Sequence, residues 1–413
     1  MFLQLLERHV RQGRLKLVGP DGKEYQFGGL SGPQVTWVLR EADCLRPIFS
    51  NPTLALGETY MRGAWDVAEG SLSDLISLLR INLGHLASQK GWRRWLFTLV
   101  RTWNHINASR RHVAHHYDLD ETLFRVMLDR DMHYSCAYFQ DPDMSLEAAQ
   151  QAKANHIGNK LLLAPGHQVL DIGSGWGSMA LHLAQQESVA VTGLTLSTEQ
   201  RRVACARADA LGLASRVRFL LQDYREHEES YDRVVSVGMF EHVGLRNYQR
   251  YFAQLKRNLK PGGIALLHTI GTTRPPGPAN PWIHKYIFPG GYIPSLSQIL
   301  PALERSQLAI TDVEVLRQHY ALTLQEWHRR FQRQREQFVQ TKGEHFCRMW
   351  EFYLSACQSG FEVADLVVFQ LQLSNGQADI PMTRDYLYRK GRGESEPVRA
   401  PLRQRWLKSP ESP

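Results

Sequence analysis

Apolar and polar positions change their spacing several times along this chain, and each change marks an element. In MFLQLLERHVRQGR the apolar residues recur at helical intervals, which predicts an amphipathic helix over residues 1–14. RLKLVGPDGKEYQFGG then alternates apolar and polar residues on both sides of Pro20-Asp21-Gly22, the pattern of a β-hairpin. Residues 32–85 carry further strand-like and helical pieces and close on the helical run SLSDLISLLRINL. Residues 1–85 are therefore expected to form a small α+β domain. In KGWRRWLFTLVRTWNH, Trp92, Trp95, Leu96, Leu99 and Trp103 share a helical face, interleaved with Lys90, Arg93, Arg94 and Arg101. A basic, tryptophan-bearing helix in this 86–110 linker suits an anionic membrane surface; it equally suits a helix packed between domains.

From about residue 110 the pattern becomes regular. Apolar runs alternate with helical segments: HQVLDIGSG before GSMALHLAQQ, SVAVTGLTLS before TEQRRVACARADALG, then RVRFLLQDY, YDRVVSVGMF before NYQRYFAQLKRNL, and GGIALLHTIG. Alternation of this kind builds βαβ units and a mostly parallel, doubly wound α/β sheet. It is expected over residues 111–390. The tail 391–413, rich in Arg, Pro, Ser and Glu, is expected to be disordered.

Composition narrows the classes. A length of 413 residues allows roughly two or three domains. The formal net charge of +8 favours an anionic partner without choosing among nucleic acid, membrane and charged metabolite. No nucleic-acid-binding motif accompanies it, so no such partner is expected. The five cysteines form no CxxC or CxH pairing, which argues against a disulfide framework or a zinc site and fits a reducing cytoplasm. His112-x-x-His115-His116 lacks a matching acid or Cys, so no metal is expected there. The start carries no signal-peptide pattern, and no run of ~18 apolar residues occurs, so a membrane would be met from its surface.

VLDIGSGWGS places Gly173, Gly175 and Gly177 between a strand and a helix, with Asp171 ahead of the first glycine. Glycines let the backbone turn tightly and approach a ligand closely. The spacing is GxGxG, not the GxGxxG of dinucleotide folds. It resembles motif I of class I S-adenosylmethionine (SAM)-dependent methyltransferases, a turn that holds the methionine part of SAM. The next strand, in TGLTLSTEQ, ends without an acid; Thr195 and Gln200 are the polar groups on offer for the ribose. Ser197-x-x-Gln200 also fits a helix capping box. QDYRE offers Asp223 for the adenine amino group and Tyr224 for stacking, or else it is an ordinary polar strand end.

Ligands of a doubly wound sheet sit beyond the carboxyl ends of its strands. Glu241, after YDRVVSVGMF, and His268, read as the end of the strand GGIALLHTIG, fall there; the plainer reading starts a helix with one and caps a strand with the other. PPGPANPWIHKYIFPGGYIPS (275–295) is a long apolar loop of the kind that covers a site, and it suits a greasy substrate. Cys136, in DRDMHYSCAYFQ, reads as a buried packing thiol or as part of a site.

In order, HHYDLDETLFRVMLDRDMHYSCAYF, DIGSGWGS, GMFEHVG, LLHTIG, WIHKYIFPGGYIPS, HYALTLQEW and YLSACQSGFEVADLVVFQLQLS resemble the successive motifs of the cyclopropane-fatty-acid synthase family, which includes the mycolic acid cyclopropane synthases. The resemblance covers about residues 110–375, and residues 1–85 resemble the small N-terminal domain of its bacterial phospholipid-acting branch. It implies a Rossmann-like class I methyltransferase fold with that small domain attached. It implies transfer of a methylene from SAM to a cis double bond of an unsaturated phospholipid acyl chain, through a carbocation that loses a proton to close a cyclopropane ring. In the family a bound bicarbonate is the base. The residues implied around it are Cys136, Glu241, His268 and Tyr320, with Tyr117 and the backbone of Ile270 alongside. The implied cofactor residues are Tyr134, Ser135, Gly173, Gly175, Gly177, Thr195, Leu196, Gln200, Asp223 and Tyr224. Cys357 aligns with a family thiol proposed as catalytic, although this chemistry requires no nucleophile. The implied setting is cytoplasmic, at the inner face of the membrane, with a homodimer among the expected assemblies.

Three positions depart from the family pattern. Ser174 stands where Cys is usual, Ser178 where Gly is usual, and His133 where Thr is commoner. His133, beside Tyr134-Ser135, leaves room for another end to the carbocation: a methyl-branched or exomethylene chain. A small-molecule N-methyltransferase and a lipid-binding protein with an inactive cofactor fold are the remaining readings. The apolar loop speaks against the first, and the intact glycines and polar set against the second.

Overall fold

The computed structural model describes residues 2–29, 31–88 and 121–388. The Lys90–His105 helix, the histidines 112–116, Tyr117 and the tail from 391 lie outside them. The amino-terminal part runs α1 (Phe2–His9), β1 (Arg14–Val18), β2 (Glu24–Gly28), β3 (Gln34–Leu39), α2 (Leu45–Ser50), α3 (Pro52–Met61), β4 (Trp65–Glu69) and α4 (Leu72–Ser88). Its strands form a sheet in the order β2-β1-β3-β4. The hairpin stands where its pattern puts it. Leu15 and Leu17 face inward, and Gly22 turns the chain at φ +80°. The first helix is shorter than the expected 1–14. Asn82 Oδ1 accepts from the N–H groups of Arg11 (2.7 Å) and Gln12 (3.0 Å), and Gly13, at φ +87°, leads into β1. Those donors are satisfied from α4 and leave the helical ladder.

The larger part follows with α5 (Glu121–Met127), α6 (Leu146–Lys160), β5 (Gln168–Ile172), α7 (Ser178–Glu187), β6 (Ala190–Thr195), α8 (Thr198–Ala210), β7 (Val217–Leu221), β8 (Tyr231–Val237), α9 (Tyr248–Arg257), β9 (Leu259–Thr272), α10 (Pro281–Tyr286), α11 (Leu296–Ser306), β10 (Ala309–Leu316), α12 (Gln318–Arg333), α13 (Arg335–Lys342), α14 (Glu344–Val363) and β11 (Leu366–Ser374). The sheet order is β10-β11-β9-β8-β5-β6-β7. From β9 to β7 every pairing is parallel; β10 and β11 are antiparallel. Both faces are covered. Leu170 and Ile172 pack toward Tyr251 and Leu303, and Val169 packs toward Ala154 and Leu183. A strand buried on both faces reads as a continuous apolar run. Strand order reverses between β5 and β8, the switch point at which such sheets bind ligands.

β9 is longer than expected and does not end at His268. Its parallel pairing with β8 stops at Val237 opposite His268, but β11 carries it on to Thr272 opposite Leu366. The apolar loop 275–295 is not structureless either. Asn280 caps α10 by accepting from the N–H groups of Trp282 (2.9 Å) and Ile283 (3.1 Å).

One hydrophobic cluster joins the amino-terminal part to α12 and α14. Across that junction Ser77 Oγ lies 2.9 Å from Ser359 Oγ, and the Tyr60 hydroxyl donates to Glu351 Oε2 at 3.1 Å. Gly57 on α3 makes room for Trp282: a Cβ there would lie 2.3 Å from the indole Nε1 and 2.7 Å from Phe352. Gly57→Ala is expected to cost about 1–3 kcal/mol of stability through overpacking. A urea titration followed by tryptophan fluorescence reads this as a lower midpoint; an unmoved midpoint would show that the ring yields freely.

Candidate active site

The cofactor cleft opens at the switch point. Gly173, Gly175 and Gly177 have φ of +87°, +53° and +84°, a backbone that side-chain-bearing residues avoid. Their surroundings differ. A Cβ on Gly173 would meet Met239 at 2.8 Å, and one on Gly177 would meet Phe219 at 2.8 Å. A Cβ on Gly175 meets nothing within 4 Å, so the turn faces open space there. Tyr134, Ser135, Gly173, Gly175, Thr195, Leu196, Gln200, Asp223 and Tyr224 all line this cleft. Gly177 does not. It starts α7 and lets Phe219 pack, while its neighbours Trp176 and Ser178 reach the cleft.

Two polar residues behave differently from the sequence reading. The Ser197 hydroxyl accepts from the Gln200 N–H (3.2 Å), but the Gln200 side chain does not return to Ser197. Its Oε1 accepts from the Thr195 hydroxyl at 2.9 Å, so only half of a capping box forms. Asp223 is already engaged: Arg225 donates to Oδ1 (2.8 Å) and Oδ2 (2.6 Å). Tyr224 rests edge-on against Tyr251, with ring centroids 5.4 Å apart.

The segment Tyr134–Phe139 links this cleft to a buried neighbouring region. Tyr138 is stacked between His156 (4.4 Å) and His319 (4.9 Å), and the Ala137 N–H donates to Thr323 Oγ1 (3.0 Å). The Tyr134 hydroxyl lies 2.8 Å from that of Tyr353 on α14. Cys136 is fully buried, and burial pushes its thiol well up. Tyr320 on α12 packs on Phe361 and lies within electrostatic reach of Tyr134, Cys136, Glu241 and Cys357.

Glu241 sits on a short 3-10 turn, Phe240–His242, just beyond β8. Its Oε1 accepts from the Ile270 N–H at 2.6 Å, and its buried Oε2 has no hydrogen-bond partner among the described residues. Burial raises its pKa against the pull of the Ile270 and Glu241 N–H groups and of the Thr269 hydroxyl. The Tyr292 N–H donates to the Glu241 carbonyl (2.9 Å), so the apolar loop is tied to this residue. Glu241 makes no hydrogen bond with His268 among the described residues. His268 instead faces Gln370, whose Nε2 lies 3.1 Å from Nδ1. Burial, with Lys153 and Lys160 nearby, pushes the ring down to about 3, so it is neutral. With Gln370 donating to Nδ1, the His268 proton is on Nε2. Cys357 lies on α14, and burial pushes its thiol up to about 12. A thiol of that kind is protonated at neutral pH and a poor nucleophile. Cys357→Ala is expected to retain most of the wild-type turnover in a lipid methylation assay; its abolition would make the sulfur essential.

The sequence missed Lys153. This residue of α6 is wholly buried at the cleft wall and donates to Ser135 Oγ at 3.1 Å. Burial lowers it to about 8, and burial raises the neighbouring Asp171 to about 7. Gln370 and Tyr353 were also missed. No sequence signal marked any of them: each is placed by how distant elements dock.

A glycine turn at the switch point of this sheet, opening on a cleft with buried polar atoms at one end and aromatic and acidic groups at the other, defines a class I SAM-dependent methyltransferase. The model of the mycolic acid cyclopropane synthetase family matches residues 104–371, and the chain belongs to that family. A second model, for a domain of unknown function, matches residues 2–90. The chain is 40% identical over 340 residues to cyclopropane-fatty-acyl-phospholipid synthase of Escherichia coli K12, covering 82% of this chain and 87% of that protein. It is 35% identical over 390 residues to tuberculostearic acid methyltransferase UfaA1 of Mycobacterium tuberculosis, covering 90% of each. Among solved structures, the cyclopropane synthase MmaA2 of Mycobacterium tuberculosis superposes with a TM-score of 0.61 at 34% identity, over 64% of this chain and 97% of that one. The chain is thus an enzyme, a SAM-dependent methyltransferase of lipid chains.

Proposed function

We propose that this enzyme converts a cis double bond in an unsaturated phospholipid acyl chain into a cyclopropane ring. The observation that carries this reading is the buried Glu241 Oε2, without a hydrogen-bond partner among the described residues, within electrostatic reach of Tyr320 and beside Met239 and His242 of the cofactor cleft. The residues around the cleft fit SAM: free space lies in front of Gly175, and Asp171 and His133 hold orphaned buried atoms at its edge. In the reaction the π electrons of the acyl chain attack the methyl carbon of SAM. The carbon–sulfur bond breaks and its electron pair stays on sulfur. The resulting carbocation loses a proton from the transferred methyl, and that C–H pair closes the ring. A π bond is a weak nucleophile, so orientation supplies much of the rate. Tyr134, held by Tyr353 and Trp327, and Tyr224, held by Tyr251, are fixed aromatics that favour a cationic centre by ~0.5–2 kcal/mol each.

Bicarbonate, when bound, supplies the base for that proton. Glu241, His268 and Tyr320, with the backbone at Cys136, are the residues that would hold it. An anion in an apolar pocket needs several hydrogen bonds. His268 Nε2 and the Tyr320 hydroxyl donate. Glu241, raised by burial, donates from its neutral form or accepts the guest's own hydroxyl. Ile270 serves through Glu241, because that carboxylate takes its N–H.

The phospholipid is proposed as substrate on the 40% identical relative of that name and on the apolar loop above Glu241. Among the described residues no helix is long and apolar enough to cross a membrane; contact with lipid at the inner face of the membrane is part of the proposal. Incubation of the enzyme with SAM and monounsaturated phospholipid vesicles is expected to add one CH2 per double bond. NMR of the released acyl chains separates a ring from an exomethylene group; unchanged lipid under SAM-saturating conditions overturns the proposal.

A further inference from the structure

Among the described residues, Trp176 Nε1 and two further buried side-chain atoms of the cleft lining, His133 Nε2 and Asp171 Oδ2, have no hydrogen-bond partner; the last two concern the cofactor's cationic end. Both residues line the cleft, and Lys153 interacts electrostatically with each. The geometry fixes what His133 offers. Its Nδ1 lies 3.0 Å from Asp129 Oδ2, and its backbone N–H donates to Asp129 Oδ1 at 2.8 Å. A carboxylate only accepts, so Nδ1 carries the ring proton. Burial, with Lys153, keeps the ring from taking a second proton, although Asp129 draws the other way. His133 Nε2 is therefore a bare acceptor, as Asp171 Oδ2 is when ionised. Lys153 does not serve as their common donor; its described bond goes to Ser135 Oγ.

Two acceptors lining one cleft, each within electrostatic reach of Lys153, fit a cation with several N–H groups. SAM carries one such group, the α-ammonium of its methionyl end. That end belongs beside Gly173 and Gly175, which follow β5, while Asp223 and Tyr224 follow β7, two strands away across the sheet. We propose that His133, oriented by Asp129, binds the α-ammonium of SAM through Nε2, directly or across one ordered water, and that Asp171 shares it. This rests on the reading of the cleft as the SAM site. His133 is then a binding residue and Asp129 a positioning residue. Between them they fix the rotation of the methionyl chain and so the direction in which the sulfonium methyl faces the acyl chain. The histidine that departs from the family pattern thereby acts before methyl transfer, on the cofactor, and not on the fate of the carbocation.

The test is a calorimetric titration of the full chain with S-adenosylhomocysteine and with its analogue lacking the α-amino group. In the wild type, removal of the amino group is expected to weaken binding about 10- to 100-fold, the range for a hydrogen bond to a charged group. In His133→Leu, S-adenosylhomocysteine itself is expected to bind weakly, and the deamination penalty to shrink several-fold. His133→Gln, whose amide oxygen reaches toward the Nε2 position, is expected to restore part of both. If His133→Leu does not fold, Asp129→Asn carries the comparison, since it releases the ring from its fixed tautomer. Coupling between a ligand group and a side chain is what such a cycle isolates. An equal deamination penalty in wild type and variant overturns the inference alone. Failure of the wild type to bind S-adenosylhomocysteine overturns the reading of the cleft and the inference with it.

Discussion

Glu241→Gln is expected to lower turnover about 10²- to 10⁴-fold, the usual span for a group that handles a proton in the transition state. Binding of S-adenosylhomocysteine should be unchanged, because Glu241 does not line the cofactor cleft. The substitution is conservative in shape. A glutamine Oε1 still accepts from the Ile270 N–H, the bond that positions the side chain at 2.6 Å. What changes is the other atom. Oε2 is buried in the wild type, with no hydrogen-bond partner among the described residues, and burial raises the acid, so it switches between donor and acceptor as its guest requires. An amide nitrogen in its place only donates. Lipid methylation with SAM and monounsaturated phospholipid reads turnover, and calorimetry reads cofactor binding. Turnover within about threefold of the wild type would reduce Glu241 to a loop anchor that holds the Tyr292 N–H. Loss of both readouts together would mark a collapsed site and not a missing proton carrier.

The parts of this structure that were legible in the sequence are those set by local rules. β5 was readable because both of its faces are buried, which leaves an apolar run before the glycines. The glycine turn was readable because a positive φ selects glycine whatever lies around it. The elements that were misjudged are set from a distance. α1 stops at His9 because Asn82, about seventy residues on, takes two of the N–H groups that would have continued it. β9 passes His268 because β11, a hundred residues on, still pairs with it. The Gln200 side chain leaves its cap because Thr195 lies at the end of the adjoining strand. In the site, Glu241 and His268 were marked by their place at the carboxyl ends of strands, whereas the resemblance supplied Tyr320 and the site role of Cys136, neither of which carries a local signal of its role. Lys153 was missed for the same reason. A lysine in the run AAQQAKAN looks solvent-facing, and only the docking of α6 under Tyr134–Phe139 buries it.

Glu314→Gln is expected to destabilise the protein by about 3 kcal/mol at neutral pH, with a loss that depends on pH in a defined direction. Glu314 lies on the outer strand β10 and meets two residues of α6: His156 Nε2 at 2.6 Å and Lys160 Nζ at 2.5 Å. The Lys160 side chain is fully buried, and its only other carboxylate among the described residues, Asp312, is 3.8 Å away and already paired with Arg384. Burial alone would raise the Glu314 carboxyl, but His156 and Lys160 outweigh it and bring it down to about 2. A carboxyl whose pKa falls on folding adds stability above its unfolded pKa and loses it as pH drops through the folded value. The gap between wild type and variant should therefore be full above about pH 5 and close toward pH 2. Urea titrations at a series of pH values measure it; a gap independent of pH would assign the loss to packing. Replacing both partners separates the pair from its surroundings. Breaking a buried ion pair strands a charge, whereas removing both charges does not. Glu314→Leu with Lys160→Met should recover much of the stability lost by Glu314→Gln. The contact that ties α6 to the sheet edge would then be replaceable by apolar packing. The buried lysine at the cofactor cleft is Lys153, about two turns earlier on the same helix.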